Sequence, residues 1–296
     1  MRIAAIGECM LELSPTPAGT YRLGFGGDTL NTAIYLARYG ASVDYFSALG
    51  DDPLSDNMIT AWQREEVGTD HVRRKIGSVP GLYLIQNDCH GERTFYYWRE
   101  KAPAKTVFSD DSDLMEKLFE YDYLYLSGIT LSLYCEATLK RLWSFLDRYR
   151  SNGGKVAFDL NYRKQNWGSR ASALDTLSAM MTKIDIALPS FDDEVALHGD
   201  HSREQCLLRY IEAGAREIVI KDGANGVILH SEKQTHKIAT PKTVVPVDTT
   251  AAGDSFNGAY LASRLMGKAP TAAVTEGQNC AAHVIQHAGA IAPRVL

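Results

Sequence analysis

The sequence predicts an α/β fold on a mainly parallel sheet covered by helices on both faces, and three observations carry that expectation. Short, continuously apolar runs alternate with longer amphipathic stretches along the 296 residues, the pattern of strands buried on both faces and joined through helices. Glycine punctuates the units, as at Gly7 after the first apolar run and Gly40 after the first amphipathic one. Hydrophobic residues make up 45% of the chain, enough to bury one large core plus a small appendage. A single domain spanning 1–296 is expected.

Taken in order, Met1 to Glu8 is an apolar run ended by glycine and acid, too short for a signal-peptide core or a membrane span, and it reads as the first buried strand. Asp28 to Tyr39 follows as helix, Val43 to Leu49 as strand, Leu54 to Glu66 as helix, Tyr121 to Leu126 as strand and Glu136 to Arg150 as helix. Strands then fall at Lys155 to Leu160, Ile184 to Leu188, Glu217 to Ile220 and Val227 to His230, with helices near Arg170 to Met181 and Arg203 to Ala213. Two more helices are expected, from about Asp254 to Met266 and from about Thr271 to His287. Residues 10–23 and 81–99 break the alternation: they are rich in β-formers and turns, and Thr94-Phe95-Tyr96-Tyr97-Trp98-Arg99 alternates as an exposed antiparallel strand does. They predict a small β lid inserted in the N-terminal half.

Charge and cysteine usage narrow the partners. A net charge of −5 and a pI near 5.9 argue against a general nucleic-acid surface, so an anionic ligand must be held by a few local cations and oriented amides. No membrane partner is expected either. Cys9, Cys89, Cys135, Cys206 and Cys280 are odd in number, widely spaced and free of any Cys-x-x-Cys pair, as suits reduced thiols in a cytoplasmic protein. No Walker-type Gly-x-x-x-x-Gly-Lys-Ser/Thr occurs. His283 and His287 stand four apart on one helical face, but without nearby acid or cysteine ligands they read as ordinary helix residues.

Two segments carry chemistry. In Val247-Asp248-Thr249-Thr250-Ala251-Ala252-Gly253-Asp254-Ser255-Phe256-Asn257-Gly258, small residues deliver a carboxylate at an expected helix start. Ala251, Ala252 and Gly253 let backbone N–H groups approach an anion, the helix dipole points there, and Asp254 stands beside the developing charge. That arrangement suits phosphoryl transfer with a carboxylate receiving the proton of the attacking hydroxyl. A plain N-cap at Asp254 or Ser255 is the competing reading. The second segment, Gly24-Phe25-Gly26-Gly27-Asp28-Thr29-Leu30-Asn31, is a glycine-rich turn opening a helix. It lacks the last glycine of the dinucleotide fingerprint, which argues against a nicotinamide enzyme.

In this order, and more than two hundred residues apart, the two segments resemble the two signatures of the ribokinase-like (PfkB) carbohydrate kinases. The resemblance covers nearly the whole chain. It implies a three-layer αβα sandwich whose β lid closes over the sugar and often also joins a homo-oligomer. It further implies Asp254 as general base, with the amides of Ala251, Ala252 and Gly253 stabilising the transferring group. Gly26 and Gly27 would admit the sugar to the backbone, and Asp28 and Asn31 would meet its hydroxyls. Lys221 and the loop Gly223-Ala224-Asn225-Gly226 would lie along the ATP phosphates and ribose, with Asn161, Arg163 and Ser190 beside them and Asn279 in the adenine wall. A tight strand-to-strand turn explains Gly223 and Gly226 equally well, though not the lysine.

Magnesium must accompany ATP, because the chain's few cations cannot neutralise the phosphates. Many relatives carry an Asn-x-x-Glu motif to organise it. Here Ser190 replaces the asparagine, and the acid is either Asp193 or Glu194, acting through water. Asp248 and Thr250, with carbonyls near Gly289, are candidates for a monovalent cation such as K+, as in some relatives.

Tyr97 and Arg99 in the lid and Arg163 after a strand put two guanidinium groups toward the sugar end, with Tyr83 from the neighbouring lid strand. Arginine pairs well with a carboxylate, so an acidic sugar is expected. Tyr96-Tyr97-Trp98-Arg99 with Asn161-Tyr162-Arg163 resembles the 2-keto-3-deoxygluconate kinases, which implies phosphorylation of the 6-hydroxyl of that acid by ATP. A kinase of a neutral sugar such as fructose or ribose, and a non-catalytic sugar- or nucleotide-binding regulator, are the alternatives.

Overall fold

The computed structural model describes residues 1–16, 18–87, 93–108, 113–241 and 244–294. Its strands are β1 (Arg2–Ile6), β2 (Met10–Pro15), β3 (Tyr21–Gly26), β4 (Ser42–Gly50), β5 (Val72–Lys75), β6 (Leu82–Asn87), β7 (Arg93–Trp98), β8 (Tyr123–Ser127), β9 (Lys155–Asp159), β10 (Ile186–Ala187), β11 (Glu217–Lys221), β12 (Val227–Ser231) and β13 (Gln234–Ile238). Its α-helices are α1 (Asp28–Arg38), α2 (Pro53–Arg64), α3 (Leu114–Lys117), α4 (Gly128–Leu131), α5 (Glu136–Ser151), α6 (Arg170–Met181), α7 (Phe191–His198), α8 (Arg203–Glu212), α9 (Ala252–Leu265) and α10 (Pro270–Val284).

Nine strands form one sheet in the order β13-β12-β11-β10-β9-β8-β1-β4-β5, parallel from β11 to β5 and closed by the antiparallel β11-β12-β13 edge. Consecutive strand residues feed opposite layers because the side-chain period of a strand is two. In β1, Ile3 and Ala5 join the core beneath α1, α9 and α10, while Ala4 and Ile6 join the core beneath α5, α6 and α8. The result is the three-layer αβα arrangement that continuous apolar runs require. Chain order reverses between β1 and β8, and open α/β sheets bind ligands at such a crevice, beyond the carboxyl ends of the strands.

The expected lid is a second sheet, β3-β2-β6-β7. It pairs β2 with β3 and β6 with β7 antiparallel, and β2 with β6 parallel. Residues 88–92 of the expected lid, Cys89 among them, lie outside the described residues; Cys9, Cys135, Cys206 and Cys280 are free thiols. Among the described residues, no helix is long and apolar enough to cross a membrane.

Five elements depart from the sequence reading; two of them, α3 and α4, are four-residue helices. The charged run of β5 (VRRK) and the exposed β13 (QTHKI) lack apolar patterning, yet each adds to an edge of the sheet, where little of the strand is buried. Helix α7 lies in the segment examined above for metal ligands alone; Gly199 ends it in the left-handed conformation, at φ 77°.

Candidate active site

The site grows from strand ends. Asp159 closes β9 and is buried; its Oδ2 accepts hydrogen bonds from Lys221 Nζ at 2.8 Å and Asn257 Nδ2 at 2.6 Å. Lys221 closes β11 and also donates to Asn257 Oδ1 at 2.9 Å. Just past β9, Asn161 takes a left-handed backbone (φ 34°). It donates through Nδ2 to Asp28 Oδ2 at 2.8 Å, at the start of α1. Burial pushes the Asp28 carboxyl up, against hydrogen bonds from Ser127 and Asn161. Gly27 precedes it in extended backbone, where a Cβ would meet Glu8 O at 2.2 Å, so only glycine fits.

Helix α9 begins at Ala252, two residues earlier than expected, with Ala251 in the left-handed region (φ 59°, ψ 17°). No side chain caps it, so Asp254 is a first-turn residue and not an N-cap. Asn31 Nδ2 donates to Asp254 Oδ2 at 2.9 Å, and Thr32 Oγ1 to its main-chain oxygen at 3.2 Å. Burial, then the neighbouring charge of Asp28 and, further down, Asp159, push the Asp254 carboxyl up to about 7, against the pull of Asn31 and Lys221. Its side of the helix is partly open, not sealed in the core. An ideal Cβ on Gly253 would lie 3.5 Å from Lys221 Nζ and 3.9 Å from Ser190 Oγ, so both side chains stand at the first turn of α9. Backbone amides at the start of a 14-residue helix, a lysine and a carboxylate poised near neutrality can hold an anion and accept a proton side by side.

The expected phosphate loop is a hairpin turn between β11 and β12, with Gly223 and Gly226 at φ 49° and 90°. Turn formation therefore does account for both glycines. Thr240 Oγ1 and Arg203 Nη1 hold the loop through the Gly223 and Asn225 carbonyls. Ala224 and Asn225 are exposed on it, and Asn279 is exposed on α10.

The two acids offered for the metal face different ways. Asp193 takes Arg163 Nη1 at 2.9 Å; burial pushes its carboxyl up, against the pull of Arg163, and the charge of Asp159 adds to the rise. Glu194 points into the protein, where Arg209 Nη2 at 2.6 Å and Tyr210 OH at 2.5 Å hold it. Glu194, Asp200 and Cys206 stand at metal-ligand spacing. Arg209 fills that space, bonding both carboxylates. Asp248 Oδ1 accepts from Thr250 N at 2.9 Å and Oδ2 from Gly289 N at 2.8 Å, which closes the loop named above for a monovalent cation.

On the lid, Tyr83 donates its hydroxyl to Glu12 Oε2, packed so closely on Gly26 that a Cβ there would sit 2.2 Å from the tyrosine oxygen. Tyr97 lies opposite Tyr83 in the ladder, ring centroids 6.1 Å apart. Neither expected arginine stands as a lone cation: Arg99 pairs with Glu8, and Arg163 with Asp193.

Glu8, Glu12, Asp159 and Asn257 were given no role from sequence. Asp159 carried a signal, a carboxylate ending an apolar strand at the crest where such sites collect. Asn257 carried none, since its partners are 36 and 98 residues away.

A model described as pfkB family carbohydrate kinase matches residues 1–295. The chain is 44% identical over 301 residues to a Dickeya dadantii protein named 2-dehydro-3-deoxygluconokinase, covering 98% of this chain and 96% of the relative. An Escherichia coli K12 protein of the same name is 43% identical over 303 residues, 99% of this chain and 97% of the relative. Among solved structures, a candidate ribokinase II from E. coli in complex with ATP and Mg2+ superposes with a TM-score of 0.84 at 21% identity, over 98% of this chain and 94% of that one. At that identity the likeness is one of fold.

Proposed function

The chain belongs to the pfkB family of carbohydrate kinases, and from that premise we propose that it moves the γ-phosphoryl group of ATP to the 6-hydroxyl of 2-keto-3-deoxygluconate, giving 2-keto-3-deoxy-6-phosphogluconate and ADP. That acid is the 2-dehydro-3-deoxygluconate for which the Dickeya and E. coli relatives are named. The observation that carries the chemistry is Asp254 in the first turn of α9, held by Asn31 and pushed up to about 7. A base with its pKa near working pH combines the deprotonated form with useful proton affinity.

In this reading the 6-hydroxyl gives its proton to Asp254 as the oxygen–phosphorus bond forms. The bond to the β-phosphate breaks, and ADP leaves with its electron pair. The amides of Ala251, Ala252, Gly253 and Asp254 stabilise the equatorial oxygens; removing one such donor typically costs about a hundredfold to a thousandfold in rate. Lys221, beside Gly253, adds positive charge at the same turn, and Ser190 and the 223–226 hairpin border the nucleotide side. Asp28 and Asn31 meet sugar hydroxyls, and Tyr83, Tyr97, Arg99 and Arg163 border the acid end.

The donor set suits magnesium. Asp28, Asp159, Asp193 and Asp254 gather around the site, and carboxylates so crowded favour a divalent cation arriving with the nucleotide. Asp193 is the acid we assign to it, and Asp248 with Thr250 the monovalent-cation loop. When bound, magnesium neutralises the charge of the β- and γ-phosphates.

We also read residues 1–296 as one kinase domain in the cytoplasm, pairing with a second copy through its lid. Support for the pairing is the row Leu23-Leu13-Leu84-Tyr96, in register across all four lid strands, with exposed Tyr21 and Trp98 on the same face. Sedimentation of the protein and of Leu23→Lys tests it: the variant should run as the smaller species.

A coupled ADP-release assay with sugar acids and neutral sugars tests the substrate. The acid should be used with the highest kcat/KM, and Arg163→Ala should weaken use of the acid more than use of fructose or ribose. Equal losses on both would refute the acidic-sugar reading.

A further inference from the structure

Four chain crossings join the lid to the body, and they meet at one point. The chain enters β2 through Glu8 and Cys9, leaves β3 through Gly27, enters β6 through Gly81 and leaves β7 through Arg99. A Cβ on Gly27 would lie 2.2 Å from Glu8 O, and one on Gly81 would lie 3.2 Å from both Arg99 Cβ and Glu8 Oε1. In the middle, the Glu8 carboxylate pairs with the Arg99 guanidinium, their side chains 2% and 14% exposed. Arg99 Nη1 also reaches Asn166 Oδ1, at 3.4 Å. The pair thus ties the first crossing to the last, and burial leaves each charge dependent on the other.

We propose that Glu8 is a positioning residue that pins the lid where its four connections meet and orients the Arg99 guanidinium toward the acid end of the sugar. Orientation toward the acid rests on the substrate reading above; the pinning of the lid does not. The carboxylate suits both tasks because it fixes the guanidinium from the body side, leaving the lid strand to carry the arginine without freedom to swing away. Its position two residues past β1 puts this anchor just beyond the end of the strand beside the crevice.

The test uses Glu8→Gln in the full chain, which keeps the shape and removes the charge. Hydrogen exchange without sugar should show amides of residues 82–86 and 94–98 exchanging about tenfold faster, with β8, β9 and α9 unchanged. Unaltered lid exchange, or an equal acceleration throughout the body, overturns the pin whatever the substrate. Glu8→Asp, which keeps the charge on a shorter arm, gives an intermediate acceleration and serves should the glutamine variant not fold; wild-type lid exchange in it likewise overturns the pin. In kinetics, Glu8→Gln should raise KM for 2-keto-3-deoxygluconate about tenfold with kcat and the KM for ATP unchanged. Added to Arg99→Met, it should raise that KM no further. An equal rise in both backgrounds overturns the orienting role, because Glu8 would then act without Arg99. Failure of the substrate reading looks different: the wild-type protein would not turn over the acid, while lid exchange still decides the pin.

Discussion

Asn31 Nδ2 donates to Asp254 Oδ2 across 2.9 Å, joining the first helix to the ninth over 223 residues of sequence. The bond stabilises the ionised carboxylate, whereas burial and the charges of Asp28 and Asp159 oppose ionisation. The balance sets the proton affinity of the proposed base, and removing either side should move it in a known direction.

Asp254→Asn should lower kcat by about a thousandfold or more while leaving ATP affinity within about threefold, since it removes proton acceptance and leaves the amides of α9 in place. Its stability effect has a sign. A carboxyl raised to about 7 stabilises the fold when protonated, and that contribution is lost as pH rises from the ordinary aspartate range through 7. The asparagine variant should therefore gain on the wild-type protein at pH 8, on the order of 2 kcal/mol, and show no such gain at pH 4. Thermal unfolding at the two pH values measures it.

Asn31→Leu removes the donor that favours the ionised base. The acid limb of the kcat profile, expected near 7 in the wild-type protein, should move to higher pH. At pH 7 the rate should fall about tenfold, with partial recovery at pH 9. A limb that stays put would separate Asn31 from the base.

Lys221 sits in a buried triad with Asp159 and Asn257 beside the first turn of α9. Lys221→Met would leave Asp159 buried with its cation gone, and breaking such a pair typically costs about 3–5 kcal/mol. Stability and turnover should fall together, and ATP affinity should weaken. Lys221→Arg should recover little, because the triad has room for one compact ammonium between a carboxylate and an amide. Denaturant unfolding and ATP titration of both variants check this.

Much of the fold was legible because local patterning and global burial agree. β1 reads apolar at every position after Arg2 since both its faces are covered there, and α1, buried from Asp28 to Ala37, runs between a glycine turn and Gly40. Edge strands β5 and β13 were missed for the converse reason: with most of their side chains outside the core, charge is tolerated and no pattern marks them. The residue types of the site were legible, but their pairing was not. Arg99 and Arg163 read as lone cations, yet folding brings Glu8 and Asp193 against them from 91 residues upstream and 30 residues downstream, separations that carry no local signal.

Adjacent acids on α7 provide the last test. Asp193 faces Arg163 and the site, whereas Glu194 is fully buried among Arg209, Tyr210 and Asp200. Successive helical residues point about 100° apart, so one can serve ligand while its neighbour serves the core. Asp193→Asn should raise the magnesium concentration for half-maximal rate several-fold, with an unfolding temperature near that of the wild-type protein. Glu194→Gln should do the reverse: Arg209 and Tyr210 lose their buried carboxylate, unfolding moves down by several degrees, and the magnesium requirement stays unchanged. If Glu194→Gln raised the magnesium requirement at unaltered stability, the assignment of the metal acid would pass from Asp193 to its neighbour.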